Sequence, residues 1–356
     1  MEILEIYTFN ENGVGGVSLM VNAYMNATEY FCTHGCHLNL LNIKQERVTG
    51  KRSIDNFLYI FTQKSAVKQH LSENKYDAVH IHTSREFLFL KDVLLAKFIK
   101  MNFHIPVVIT IHVGSIDTVY NRIGWFKKKS ITLINKYIDK VIFLSEVMRQ
   151  DYIKEGLKEN VTSLLYNFFQ FTPAENEKKE DIKTLQLLFV GAIHREKGII
   201  ELLKALNSLQ DFDCHLNICG QLKDNSIRSE IEEYKLKLGN KVSFLGLVQG
   251  EEKTKIFDKS DILILPSYHE GLPIVIMEAL GSGCGIMTTP VGAIPEILND
   301  ANCKWLEIGS YKSIESQLRS LTSKELMTMK EANKSLGKEY SLESHINKLS
   351  EIYKNL

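Results

Sequence analysis

Proline is scarce in this chain and unevenly placed: of six prolines in 356 residues, four fall between Pro266 and Pro295. An excess of charge of either sign is missing too, with 43 Lys plus Arg against 43 Asp plus Glu. That balance argues against broad nucleic-acid binding, which needs a basic surface, although it leaves room for a local basic patch. No run of 18 or more apolar residues occurs, so no membrane span is expected. The first residues, MEILEIYTF, read at once as a strand, without the charged head and cleavage site of a signal peptide. Cysteines number only six. Cys32, Cys36 and His37 lie close enough in sequence to suggest a metal site, but the better reading is a helix over Tyr24–Thr33, a cap at Gly35 and a strand over Leu38–Asn42. Cys214 and Cys219 sit in the strand-like HLNIC as core thiols. Reduced cysteines point to a cytosolic compartment.

What is present concentrates around the prolines. The segment EGLPIVIMEAL places Glu270 and Glu278 eight positions apart, the second inside an apolar run. Pro273 suits a first helical turn, where the missing N–H costs nothing. Ile274 to Leu280 then read as a helix apolar almost all round, and therefore buried. A carboxylate in such a helix needs donors, or it carries the several-kcal/mol penalty of an unpaired buried ion. Ligand hydroxyls could supply them; so could backbone amides or an arginine, and the residues alone leave both open. DILILP (Asp261 to Pro266) reads as a buried strand before the motif. Afterwards GSGCG ends the helix and IMTT opens the next strand. In such βαβ units ligands bind at loops leaving the carboxyl ends of strands, and Ser267 to Pro273 is such a loop.

The length suits two domains better than one core. In the amino-terminal half, strand-like segments recur at Ile3–Thr8, Leu38–Asn42, Phe57–Thr62, Ala78–His82, Val107–His112 and Lys140–Leu144. Helical stretches between them imply a parallel sheet. Gly15 and Gly16 follow the first strand and precede a helix, where glycine lets amides approach a phosphate; alone the signal is weak. His112 ends VVITIH at a strand terminus. A histidine there is more often structural, but its position favours a site. His80, in DAVHIHTS, is read as structural, with His82 beside it at the same sheet edge. Arg122 to Lys140 mixes Trp125, Phe126 and the run Lys127-Lys128-Lys129 with apolar residues. A solvated basic helix end explains it; the alternative is docking onto anionic lipid through 122–137.

Residues 170–186 are polar and charged and read as a linker between a domain over 1–169 and a second over 187–340. LQLLFVGAI opens the second sheet. Arg195 and Lys197 follow it at a strand-to-helix turn, where two cations suit a diphosphate as well as they suit solvent.

PSYHEGLPIVIMEAL resembles the donor-site signature of the family-4 glycosyltransferases, and the resemblance extends over essentially the whole chain. It implies an α/β protein of the GT-B fold, two Rossmann-like domains facing each other across a cleft, with a C-terminal helix (341–356) packing back on the first. It further implies that Glu270 lies by the transferred sugar, that Gly271, Leu272 and Pro273 approach sugar and phosphates, and that Glu278 holds the ribose. Gly15 and Gly16 resemble the loop facing the donor diphosphate. His112 matches a histidine near the sugar hydroxyls, and Gly220 another family glycine. Leu247 and Val248 resemble the stretch that reads the base through the main chain. VGAIPEI completes the signature, with Glu296 structural. Lys197-Gly198 match the family, but its usual arginine position is Ala192, and Arg195 is the candidate replacement.

The implied activity is retaining transfer from a nucleotide sugar, a UDP-sugar by family habit, to a glycan or lipid-linked glycan in surface polysaccharide synthesis, in the cytoplasm or at the inner membrane face. Arg195, Lys197, His112 and Glu270 would carry the chemistry. No Asp-x-Asp follows a strand, so neither a divalent cation nor another cofactor is expected. The rival readings are a non-catalytic binding subunit, which Ala192 keeps open, and a GT-B epimerase, which the paired glutamates oppose.

Overall fold

The computed structural model describes residues 1–7, 16–43, 52–83, 89–112, 124–170 and 184–356. They form two compact units, Met1–Tyr166 with Glu343–Leu356, and Asn167–Leu342.

The first unit is built on β1 (Glu2–Tyr7), β2 (His37–Asn42), β3 (Ala78–Thr83), β4 (Val107–Ile111), β5 (Lys140–Phe143) and β6 (Thr162–Leu164). All pair in parallel, in the order β2-β1-β3-β4-β5-β6. Its described helices are α1 (Gly16–Asn26), α2 (Thr28–Thr33), α3 (Arg52–Glu73), α4 (Phe89–Phe103), α5 (Gly124–Tyr137) and α6 (Glu146–Lys154). β3 and β4 are buried along their whole length, as near-continuous apolar strands covered on both faces must be. Ile6, Val79, Ile81, Ile109, Val141 and Phe143 form part of the core beneath the helices.

Phe57–Thr62 is a correction: it lies inside α3 rather than in a strand. A short apolar run cannot be told from a buried helical segment by periodicity. Topology settles it, because β2 and β3 flank β1 in parallel and their connection must cross over. The helix expected over Tyr24–Thr33 is interrupted at Ala27 and divided between α1 and α2. Gly35 then takes φ +75°, and the Cys36 amide donates to Phe31 O at 3.0 Å, closing the helix before β2. Cys32 Sγ lies 3.2 Å from His37 Nδ1 across this junction, while Cys36 is fully buried. β6 had no counterpart among the sequence-read strands.

The second unit holds β7 (Leu185–Val190), β8 (Cys214–Cys219), β9 (Val242–Gly246), β10 (Ile262–Leu265), β11 (Gly285–Thr288) and β12 (Lys304–Trp305). Again all are parallel, in the order β12-β11-β10-β7-β8-β9. Between them run α7 (Ile199–Ser208), α8 (Arg228–Leu238), α9 (Gly250–Lys259) and α10 (Ile274–Ser282), and α11 (Tyr311–Ser320) and α12 (Ser323–Gly337) follow β12. Ile199, Ile200, Leu202, Leu203 and Leu206 of α7 are all buried. α10 starts after Pro273, buries Ile276 through Gly281, and ends at Gly283 with φ +65°. Of the expected linker, residues 171–183 lie outside the described residues, and Leu185 and Gln186 already belong to β7. The C-terminal helix Leu342–Lys354 follows. Among the described residues no helix is long and apolar enough to cross a membrane.

Candidate active site

Each sheet has one place where the chain reverses its direction of winding. In the second sheet it falls between β7 and β10, because β7 is flanked by β8 on one side and β10 on the other. The crevice outside the carboxyl ends of two such strands is where an open α/β sheet accommodates a ligand. Here the two loops are 194–198, after β7, and 266–273, after β10.

These loops are tied to each other. The Tyr268 amide donates to Glu196 O at 2.8 Å. Gly198 adopts φ +68°, and a Cβ there would stand 2.0 Å from Pro266 O, so only glycine permits this approach. The strap places Lys197 Nζ 2.5 Å from Glu270 Oε1, and the Ser267 hydroxyl donates to the same oxygen at 2.7 Å. From the other side Gly292, at φ +59°, lies under the Glu270 carbonyl, and the Ala293 amide donates to Gly271 O at 2.9 Å. Asn167 Nδ2 donates to Leu272 O at 3.1 Å. The Gly271-Leu272-Pro273 backbone is thereby fixed, while a Cβ on Gly271 would meet nothing within 4 Å.

Glu278 emerges from the next turn of α10 and is 7% exposed. Lys253 of α9 reaches its Oε1 at 2.5 Å. Its Oε2 is buried and has no hydrogen-bond partner. Burial raises the pKa of this carboxyl above the ordinary range, with the Lys253 ammonium opposing the shift. A buried carboxylate with one oxygen neutralised and one left open suits a ligand that brings its own hydroxyl donors.

Arg195, expected from the sequence to join Lys197 as a second phosphate cation, lies in the same loop. Its guanidinium, half-exposed, is hydrogen-bonded to Glu230 of α8, which raises its pKa. Gly220 follows β8, with its amide donating to Gly246 O at 2.7 Å, and a Cβ on it would stand 1.8 Å from Gly191 O. Leu247 is 45% exposed and Val248 is buried. Ser267 and Lys253 went unread in the sequence. Ser267 could have been suspected from its place in the loop, but nothing in sequence pairs Lys253 with a glutamate 25 positions away.

In the first unit the reversal falls between β1 and β3. His112 immediately follows the neighbouring β4, and its amide donates to Thr83 O at 3.1 Å. The ring is held by His82, whose Nδ1 lies 3.2 Å from His112 Nε2. Burial and the neighbouring His82 and His80 push the His112 pKa well below the ordinary histidine value, so the ring is neutral at pH 7. Glu5, His80 and His82 bring ligand atoms within 4.8 Å of one another, a grouping compact enough for a cation, and hydrogen bonds already join all three. Glu5 was missed in the sequence although it was legible, as the one carboxylate inside the otherwise apolar stretch Ile3–Tyr7. Gly16 opens α1, and Gly15 lies outside the described residues, as do 122 and 123 of the candidate lipid-docking segment.

Two parallel-sheet units, each with polar groups at the carboxyl edge around its reversal, define a doubly wound α/β architecture. Sequence models narrow it. Residues 30–170 match Glycosyltransferase Family 4, and residues 171–339 match Glycosyl transferases group 1. The chain belongs to this glycosyltransferase family, and its fold is GT-B. It is 25% identical over 241 residues to an uncharacterized 41.2 kDa protein in the cps region of Klebsiella pneumoniae, covering 65% of this chain and 64% of that one. The match thus spans less than two thirds of that relative. It is 24% identical over 254 residues to the N,N'-diacetylbacillosaminyl-diphospho-undecaprenol alpha-1,3-N-acetylgalactosaminyltransferase of Campylobacter jejuni, covering 67% of this chain and 66% of the relative. Among solved structures, Anabaena HepE in complex with UDP superimposes with a TM-score of 0.74 at 14% identity, over the full length of both chains.

Proposed function

We propose that this protein is a retaining, metal-independent glycosyltransferase that moves a sugar from a UDP-sugar to a glycan or lipid-linked glycan in surface polysaccharide synthesis, at the inner face of the membrane. The observation that carries the reading is the open oxygen of Glu278. A ribose diol would donate to it and relieve the cost of a buried, half-satisfied carboxylate. The main chain near Leu247 and Val248 would read the base, and Gly220 would keep the floor of the site low. Lys197 would neutralise the diphosphate as it departs, which is the largest catalytic contribution expected where charge develops on a leaving group. Arg195 would join it by exchanging Glu230 for phosphate. Glu270 and His112 position the sugar, with the leaving phosphate assisting attack from the same face. The UDP of the Anabaena protein and the undecaprenol-linked substrate of the Campylobacter relative support the donor and acceptor classes. Residues 122–137, basic and aromatic, would meet anionic lipid.

The test is nucleotide release from a panel of UDP- and GDP-sugars with a membrane acceptor extract, with and without EDTA. Turnover of a UDP-sugar unaffected by EDTA, and lost in Glu270→Ala by about three orders of magnitude or more, is the expected result. Ala192 and the engagement of Arg195 with Glu230 favour one second reading, a non-catalytic nucleotide-sugar-binding subunit. Under that reading no donor is turned over, and Glu270→Ala is tolerated in a complementation assay.

A further inference from the structure

The polar groups at the first sheet's carboxyl edge form a chain with a direction. Glu5, fully buried on β1, is surrounded by donors. Its Oε1 receives the Tyr353 hydroxyl of the C-terminal helix and lies 3.2 Å from His80 Nδ1. His80 Nδ1 is also 2.6 Å from the Tyr353 oxygen, and its Nε2 is 2.7 Å from the Thr110 hydroxyl. The other carboxylate oxygen, Oε2, lies 2.5 Å from His82 Nε2. An ionised carboxylate only accepts. His82 therefore carries a proton on Nε2, and a ring holding that single proton leaves Nδ1 as an acceptor. That acceptor faces His112 Nε2 at 3.2 Å, so His112 must donate from Nε2 and hold an unprotonated Nδ1. The His112 ring meets His82 through Nε2, and Nδ1 takes no part in that contact.

We propose that Glu5 and His82 are positioning residues which fix the tautomer of His112, so that its Nδ1 lone pair accepts a hydrogen bond from a hydroxyl of the donor sugar. The inference rests on the donor-site reading above for the identity of the hydroxyl; the proton arrangement rests on this geometry with His82 holding a single proton. His80 and Tyr353 hold the far side of Glu5 and prevent it from rotating. This requirement explains why a charged residue occupies the centre of an apolar strand.

Glu5→Gln discriminates sharply. Two donors converge on the Oε1 side, so the amide carbonyl must stay there and the NH2 group must face His82 Nε2. His82 then moves its proton to Nδ1 and donates to His112 Nε2, and the His112 proton moves to Nδ1, where it faces the sugar as a donor. Long-range proton–nitrogen correlation spectra of histidine-15N-labelled protein read these tautomers, with His82→Gln and His112→Gln assigning the signals. At pH 7 the wild type should show both rings protonated on Nε2, and Glu5→Gln should show both protonated on Nδ1. The kcat of Glu5→Gln should fall roughly 100-fold or more, as expected when a buried carboxylate no longer selects the correct imidazole tautomer. UDP affinity should stay within about threefold, since the nucleotide groups lie on the second unit.

A wild-type His112 protonated on Nδ1, a His82 imidazolium at pH 7, or one zinc per chain by elemental analysis would overturn the proposal. So would a flipped tautomer in Glu5→Gln with unchanged kcat. If Glu5→Gln does not fold, the wild-type spectrum decides. Failure of the wild type to turn over any donor would sink the functional reading and leave the tautomer result standing.

Discussion

Each unit carries a buried carboxylate, Glu5 in strand β1 and Glu278 in helix α10, and the two are treated in opposite ways. Glu5 in the first unit is saturated: a tyrosine and two histidines occupy both of its oxygens, and its pKa is held below the ordinary carboxylate range despite burial. Glu278 in the second has one oxygen on Lys253 and the other on nothing, and its pKa is raised. A saturated carboxylate has no capacity left for a ligand and can only orient its neighbours. A half-satisfied one is costly until a ligand completes it. Glu270 stands between the extremes, with Lys197 and Ser267 on one oxygen. The contrast supports the proposed division, in which the first unit orients and the second recognises the nucleotide.

The largest way to break this division is at Lys197. Lys197→Met removes the cation from a glutamate side chain only 8% exposed and, on the proposed function, from the departing diphosphate. Turnover should fall by about 10²–10³, the usual cost of losing one stabilising group. Steady-state kinetics should show the loss in kcat; a change confined to KM would place Lys197 in binding alone.

A second break uses acid. The His345 pKa is pushed down to about 3 by burial, against an ordinary value of 6.5. Its ring is tied between the Tyr24 hydroxyl at 2.6 Å and Tyr166 O at 3.0 Å. Between pH 6.5 and 3 the unfolded chain therefore binds a proton that the folded chain does not, and stability must fall as pH falls. His80 and His112, also lowered, act with the same sign. Glu5 adds its loss only below the ordinary carboxylate range. Glu278, being raised, contributes with the opposite sign, its share being lost as pH rises above 4.5. Urea unfolding at pH 7 and pH 5 should show lower stability at pH 5, with a shallower slope in His345→Gln. Equal stability of the wild type at both pH values would contradict the neutral, buried histidines.

Arg195→Ala should have the smallest effect. The ion pair with Glu230 is half-exposed and contributes under about 1 kcal/mol. Turnover should fall only about tenfold if the guanidinium joins the diphosphate transiently. A fall as large as that of Lys197→Met would make Arg195 a full partner in the site.

Much of this was legible in advance, for reasons that differ by residue. The β10–α10–β11 unit announced itself through Pro273, the apolar helix and the glycines, because local chemistry alone dictates those turns. The Glu270–Lys197 pair followed only from knowing that β7 and β10 are neighbours, which is a property of topology. Phe57–Thr62 was misread because six apolar-rich residues carry no decisive period. The Glu5 network stayed hidden because its members, Glu5, His80 and Tyr353, are up to 348 positions apart. Lone histidines at strand ends look structural until the carboxylate behind them is seen.

The most direct test of the account is the thermal stability of wild type and Glu278→Ala against UDP, GDP and their common sugar conjugates, without added metal. At about a hundred times its dissociation constant a ligand stabilises by roughly 2.7 kcal/mol. The account predicts such a shift with UDP and UDP-sugars in the wild type and its loss in Glu278→Ala. An undiminished shift in the variant, or none with any nucleotide in the wild type, would contradict the assignment of the open carboxylate oxygen to the donor.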